Sequence, residues 1–226
     1  AMGITVEGVK LDLAPLVAWK GEVVNKLTSG VGGLLKNHKI EHVLGKGRIH
    51  DARTVKVATA AGEKSLACDD IVLATGSVPM SIPGFDFDRK RVWSSTEALA
   101  PDRIPKHLLV IGGGYIGLEL GFLYKKLGSQ VTVVEFTEGA LPGQDKDCVR
   151  VIERSLKQSG IKLITKTAAK SYEAKGAQLF VKVDSQGKSD TIECDQILCT
   201  VGRRPYSEGL GLESVGLKVD PPGFLP

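Results

Sequence analysis

The sequence predicts an α/β protein whose second half is a wound parallel sheet carrying a small β-meander. Three observations point there: a strict β-α-β-α-β alternation between His107 and Thr165, a run of three glycines where its first strand meets its first helix, and three polar, turn-punctuated strand candidates behind it.

At 226 residues the chain is long enough for one large domain or two small ones with a real core. Its 42% hydrophobic and 25% charged composition is that of a water-soluble globular protein. The longest apolar stretch, LLVIGGGYIGLELGFLY, is interrupted by Glu119 and five glycines, so no membrane span is expected. Thirty basic against 26 acidic residues leave a net charge of +4, split evenly between residues 1–100 and 101–226. Without a basic stripe or tail, nucleic acid is not an expected partner. The N-terminus lacks the pattern of a secretory signal, and Ala1-Met2-Gly3 reads as an expression scar. Four cysteines, at 68, 148, 194 and 199, are too scattered for a disulfide framework, and a reducing, cytoplasmic compartment fits them. Cys194 and Cys199 read as lying on one strand, about 16 Å apart on opposite faces, which makes them buried structural residues rather than a redox pair.

Apolar residues recur at steps of three and four from Pro15 to Lys36, predicting a helix weakened by Gly30, Gly32 and Gly33 and in need of tertiary support. Strand candidates follow at EHVLGKGRI, TVKVAT and KSLACDD, the last leading into an apolar strand over Ile71–Ala74. SSTEAL has capping-box spacing between Ser94 and Glu97, and Pro101 and Pro105 end that short helix. The domain boundary is therefore expected near residue 100, dividing 1–100 from 101–226. Beyond it come a strand at 107–111, a helix at 115–127, a strand at 131–135, a helix at 145–158 and a strand at 161–165, then the meander and the apolar strand QILCTVG.

Gly112-Gly113-Gly114-Tyr115-Ile116-Gly117 satisfies GxGxxG between a strand and a helix, and Glu135 ends the next strand 23 positions after Gly112. That context makes a Rossmann-like dinucleotide site. Gly112 permits the tight turn, Gly114 lets the backbone approach a pyrophosphate, and Gly117 allows close helix–strand packing, with the helix N-terminus facing the phosphates. Glu135 would accept hydrogen bonds from a ribose diol and repel a 2′-phosphate. In EFTEGALPGQD, Glu135, Glu138 and Asp145 precede the first basic residue, Lys146, so NAD is expected over NADP. Glu119 is either a surface carboxylate near the positive end of the helix dipole or, since apolar residues flank it, a buried one that needs a cationic partner. Tyr115 lies one turn before it on the same face.

Taken together, LDLAPLVAWKGEVVNKLTSGVGGLLK, GKGRI, DDIVLATGS, WSSTEAL, LLVIGGGYIGLELG, VTVVEF and CTVGRRP resemble the flavin-dependent pyridine nucleotide disulfide oxidoreductases, within them the dihydrolipoamide dehydrogenase branch. The resemblance implies two cofactors, FAD and NAD. Thr75, Gly76 and Ser77 would approach the FAD and Gly47 its adenine end, while Gly112 to Glu119, Glu135, Thr167, Gly202 and Arg203 would contact NAD. Gly47 and Thr167 read equally well as turn and strand residues. Tyr115 would gate the nicotinamide pocket, and Glu119 would pair with a lysine beside the flavin, giving these two the catalytic roles. The implied partner is a lipoyl domain of 2-oxo acid dehydrogenase complexes or the glycine cleavage system, with a homodimer in the complete protein and, in a eukaryote, the mitochondrial matrix as an alternative location.

The chain departs from the family in lacking a first GxGxxG, a CxxxxC disulfide, the later flavin motif and a His-Glu base pair. It is expected to be an internal fragment, an incomplete FAD-binding domain joined to a nearly complete NAD-binding domain, inactive alone. A non-catalytic NAD-binding module and a mercuric reductase-like or transhydrogenase-like enzyme stay open as alternatives.

Overall fold

The computed structural model describes residue 8 and residues 10–225; the scar reading of residues 1–3 lies outside them. In chain order the elements are α1 (Leu13–Asn37), β1 (Lys46–Asp51), β2 (Thr54–Thr59), β3 (Gly62–Ala67), β4 (Ser77–Pro79), β5 (Val92–Trp93) and α2 (Ser95–Ala98). They continue as β6 (His107–Ile111), α3 (Tyr115–Lys126), β7 (Gln130–Val134), α4 (Lys146–Gln158), β8 (Lys162–Ile164), β9 (Thr167–Lys175), β10 (Gln178–Ser185), β11 (Lys188–Cys194), β12 (Gln196–Cys199) and β13 (Arg203–Pro205).

Contacts divide the chain into two compact units that interleave in sequence: residues 1–20 with 79–202, and residues 21–78 with 203–226. A single linear division near residue 100 is not how the contacts fall. Segments remote in sequence pair within each unit, so the chain leaves and re-enters each one.

In the first unit, β5-β12-β6-β7-β8 form a five-stranded sheet with every neighbour parallel. Strand alternation sorts its side chains. Leu108, Val110, Val131, Val133 and Leu198 pack with Leu118, Leu120, Tyr124 and Leu156 of the helices. Leu109, Ile111, Val134, Ile197 and Cys199 pack with Leu179, Val181 and Val183 of β10. Helices thus cover one face and the antiparallel meander β9-β10-β11 covers the other. With both faces covered, the strands read as continuous apolar runs, and each fully buried Leu, Ile or Val contributes about 1.5–3 kcal/mol. The expected capping box forms: Ser94 Oγ accepts the Thr96 amide at 3.1 Å, and Glu97 returns to the Ser94 N–H at 2.8 Å. Tyr124, completely buried, donates its hydroxyl to the Ala98 carbonyl at 2.7 Å and fastens α3 to α2.

In this unit Cys194 and Cys199 do not share a strand. Asp195 breaks the run because its carboxylate turns back to accept the Lys106 and His107 amides, at 3.0 and 2.7 Å. Both cysteines then enter the same apolar cluster as free thiols. The expectation of opposite faces fails; the buried structural role stands.

In the second unit β1-β2-β3 form an antiparallel sheet, and β13 pairs with β4. Ile49 packs with Leu210 and Leu212, flanked by Ile71 and Leu73. The expected strand over Ile71–Ala74 does not form. The segment has no regular secondary structure, although it alternates in burial with Val72 87% exposed, and no strand among the described residues pairs with it.

Helix α1 forms over the predicted range plus two residues at its start and one at its end, yet none of its 25 residues is buried. Trp19, Val23, Leu27, Val31 and Leu34 make an exposed apolar stripe. Its first half is partly buried and Lys20 donates to the Leu99 carbonyl at 3.0 Å, but nothing among the described residues lies within 4 Å of an added Cβ at Gly30, Gly32 or Gly33.

Candidate functional site

The site of the first unit lies at the C-terminal edge of the parallel sheet, where β6 gives way to α3. Gly112 turns the chain with φ +104°, and a Cβ there would stand 2.6 Å from the Thr200 carbonyl oxygen. Gly117 is closed in as tightly: a Cβ would come within 3.0 Å of Val110 Cγ1 and closer still to the Gly112 carbonyl and the Thr200 hydroxyl. Gly114 is the opposite case, with nothing within 4 Å of an added Cβ. It also caps α3 with no side chain. The first-turn amides therefore meet no side-chain acceptor, which is the condition for anion binding at a helix N-terminus. Two glycines are required by packing and one keeps open the space that a diphosphate needs, so the loop fits a dinucleotide.

The sequence motif does not single out Thr200. Its hydroxyl lies 3.2 Å from the Ile111 carbonyl and 3.3 Å from that of Gly112, tying the end of β12 to the loop. The only signal for it is a hydroxyl residue at the end of the apolar run QILCT.

Glu135 is buried at the exit of β7. Its Oε2 accepts the Gly113 amide at 2.6 Å and its Oε1 the Thr137 amide at 2.7 Å. Each carboxylate oxygen keeps a second lone pair for a further donor. Phe136, the next residue, is 76% exposed. Thr167 opens β9, in line with its reading as a strand residue: it is almost completely buried, its hydroxyl donates to the Thr165 carbonyl at 2.8 Å, and its amide donates to the Glu135 carbonyl at 2.9 Å. Its side chain thus offers no free polar group, and its amide braces the Glu135 backbone.

Tyr115 and Glu119 do share one face of α3, and both are exposed. Leu118 and Leu120 beside Glu119 are buried, because a helix rotates neighbours away from one another. Glu119 is therefore a surface carboxylate, and it makes no ion pair among the described residues. Of its two readings, the surface carboxylate is the one that describes Glu119 in this chain. Ile116 is half-buried against the helix-side core, and Gly202, with φ +140°, accepts the Met80 amide at 3.0 Å.

In the second unit, sequence-distant residues meet in one hydrogen-bonded group. Arg203 donates from Nε to Ser77 Oγ at 2.8 Å and from Nη2 to the Ser77 carbonyl at 2.6 Å. Thr75 Oγ1 donates to the Tyr206 carbonyl at 2.7 Å, and Gly76 accepts the Tyr206 amide at 3.0 Å. Gly76 itself has φ +71° and open space where a Cβ would be. Arg203 thus holds the Thr75–Ser77 loop. Gly47 is an exposed strand residue paired with Val57.

Burial pushes the Cys194 thiol up to about 12, with the neighbouring Asp195 charge adding to it, and burial raises Cys199 as well. Neither is a nucleophile near neutral pH. Among the described residues no group of three or more His, Cys, Asp or Glu is arranged to hold a metal, and no helix is long and apolar enough to cross a membrane.

The pyridine nucleotide-disulphide oxidoreductase model matches residues 3–226. The chain is 41% identical over 224 residues to a dihydrolipoyl dehydrogenase of Geobacillus stearothermophilus, covering 99% of this chain and 47% of that protein. It is 43% identical over 219 residues to one of Thermus scotoductus, covering 96% and 46% respectively. A mitochondrial dihydrolipoyl dehydrogenase of Pisum sativum is 39% identical over 226 residues, covering 99% of this chain and 45% of that protein. The chain thus spans about half the length of the curated relatives it matches. Among solved structures, LpdA from Mycobacterium tuberculosis superposes with a TM-score of 0.85 at 28% identity, covering 95% of this chain and 48% of LpdA. The HOCl-induced flavoprotein disulfide reductase RclA of Escherichia coli gives 0.82 at 25%, covering 96% and 48%.

Proposed function

Because the chain belongs to the pyridine nucleotide-disulphide oxidoreductase family, whose members use FAD and NAD(P), we propose that it is the NAD-binding portion of a dihydrolipoyl dehydrogenase-like flavoprotein. The observation that carries this reading is the pairing of an open Gly114 cradle with Glu135, whose carboxylate is held by the Gly113 amide beside it. Gly114 and the uncapped start of α3 receive the diphosphate, and the remaining lone pairs of Glu135 receive the adenosine ribose hydroxyls. Tyr115, exposed at the first turn of α3, closes over the nicotinamide end.

The bound cofactors supply the redox chemistry, dithiol to FAD to NAD, and this chain positions NAD for it. In the complete protein the loop Thr75–Ser77 belongs to the FAD-binding domain, of which this chain carries a part, with Gly76 as the point of backbone approach and Gly47 toward the adenine end. A lipoyl domain is the electron donor's carrier, Glu119 takes its lysine partner from outside this chain, and the working form is a homodimer.

A second reading, a non-catalytic NAD-binding module, is favoured by the two buried, unpaired thiols, since this chain brings no dithiol of its own. One set of measurements on the purified 226-residue chain tests both. Quenching of protein fluorescence by NADH at lower concentration than by NADPH supports the NAD site, and equal binding of the two overturns the Glu135 assignment. A flavin absorbance band with dihydrolipoamide-dependent NADH formation supports the flavoprotein reading for this chain. A colourless chain that binds NADH supports the module.

A further inference from the structure

The acidic stretch after β7 contains no basic residue, but the fold brings one to it from another strand. Lys166, at the exit of β8, adopts φ +51°, a conformation costly for a side chain that is not glycine. Its amide donates to the Thr137 carbonyl at 2.8 Å, and the Thr137 amide in turn donates to Glu135 Oε1 at 2.7 Å. Lys166 is thereby fixed two hydrogen bonds from the ribose carboxylate. Its ammonium lies 3.0 Å from Glu138 Oε1, with the lysine side chain 45% and the glutamate 87% exposed. Lys166 and, more weakly, Lys146 hold the Glu138 carboxyl below its usual range.

We propose that Glu138 is a second cofactor-specificity residue: it engages Lys166 in an ion pair and so withholds from a 2′-phosphate the cation of the strand exit that is hydrogen-bonded to the Glu135–Thr137 turn. The proposal rests on the NAD reading of this site. A 2′-phosphate arriving at the rim meets the Glu135 charge and a Glu138–Lys166 pair that is neutral overall. With Glu138 gone, the same lysine is free to turn a repulsive rim into a receptive one. Because the pair is solvent-exposed, its influence is modest and salt-sensitive.

The test is fluorescence titration of the whole chain with NADH and with NADPH, for the wild type, Glu138→Gln, Lys166→Gln and the double variant. Glu138→Gln is expected to tighten NADPH binding about three- to fivefold, the scale of one exposed ion pair, while NADH stays within about twofold. Adding Lys166→Gln should abolish the gain, and salt near 0.5 M should shrink it. An unchanged NADPH affinity in Glu138→Gln overturns the proposal. So does a gain that survives Lys166→Gln, which would mean that loss of negative charge alone is responsible. If the wild type binds neither nucleotide, the NAD reading itself has failed; if it binds NADH and only the variants disagree, the NAD reading stands and the Lys166 latch falls. Circular dichroism of each variant confirms that these surface changes leave the fold intact.

Discussion

Glu135 and Gly113, 22 residues apart, are joined by a 2.6 Å hydrogen bond in which the loop amide donates to the carboxylate. The residue proposed to read the ribose therefore also shapes the glycine loop that precedes α3. Glu135→Gln retains the size but replaces one acceptor with a donor, so one of two backbone amides loses its partner. Leaving a buried donor unsatisfied costs about 1–3 kcal/mol. The variant should show a lower denaturation midpoint and at least tenfold weaker NADH binding. Wild-type stability would show that the carboxylate does not brace the loop.

The glycines of the loop separate binding from folding. Gly114→Ala adds a methyl into open space at an ordinary φ of −73°, so Tm should stay within about 2 °C while NADH affinity drops more than tenfold. Gly117→Ala forces a methyl against the Gly112 carbonyl and Thr200. Overpacking costs about 1–3 kcal/mol, and at this chain length each kcal/mol lowers Tm by roughly 2–4 °C. Calorimetry beside a binding titration distinguishes the two, and equal Tm losses would contradict the geometry.

The four thiols should react in a defined order. Cys148 is exposed and Cys68 half-buried, whereas Cys194 and Cys199 are buried. Mass spectrometry after a brief native treatment with iodoacetamide at pH 8 should find Cys148 labelled and Cys194 unlabelled. Burial raises Cys194 from its ordinary 9.0 to about 12, so folding favours the neutral thiol. Its contribution to stability is fully present below pH 9 and is lost as pH rises from about 9 to 12. Cys194→Ala, measured against the wild type across that range, should flatten part of the alkaline loss.

Helix α1 should report its exposure through tryptophan. Trp19 is 62% exposed and Trp93 only 3%. Acrylamide should quench the Trp93→Phe variant, which retains Trp19, severalfold more steeply than the Trp19→Phe variant. Leu27→Ala on α1 should change stability by less than about 0.5 kcal/mol. Leu198→Ala in the sheet core should cost about 2–5 kcal/mol. A large loss at Leu27 would mean that α1 is covered in solution.

Much of the fold is legible without coordinates because its signals are local. The alternation from β6 to β8 shows as apolar runs separated by helical periodicity, and Ser94 with Glu97 announces a cap three residues wide. The glycine loop is readable because each glycine answers a steric demand made by its own strand and helix. Ile71–Ala74 misleads for a related reason: its composition is that of a strand, but a strand exists only through the neighbour that pairs with it. Cys194 and Cys199 mislead because nothing in TIECDQILC shows that Asp195 will turn back to cap the start of β6.

The parallel-sheet half, the family resemblance and the glycine loop with its carboxylate are all readable in the chain's order of residues, because periodicity, turn chemistry and motif spacing are properties of contiguous chain. Folding is needed to turn Thr167 inward, to leave Glu119 exposed, to let Arg203 grip Ser77 across 126 residues and to stand Lys166 beside Glu138. Those relationships depend on which strand exits lie side by side, and adjacency between distant segments arises only when the sheet closes and the side chains sort into buried and exposed.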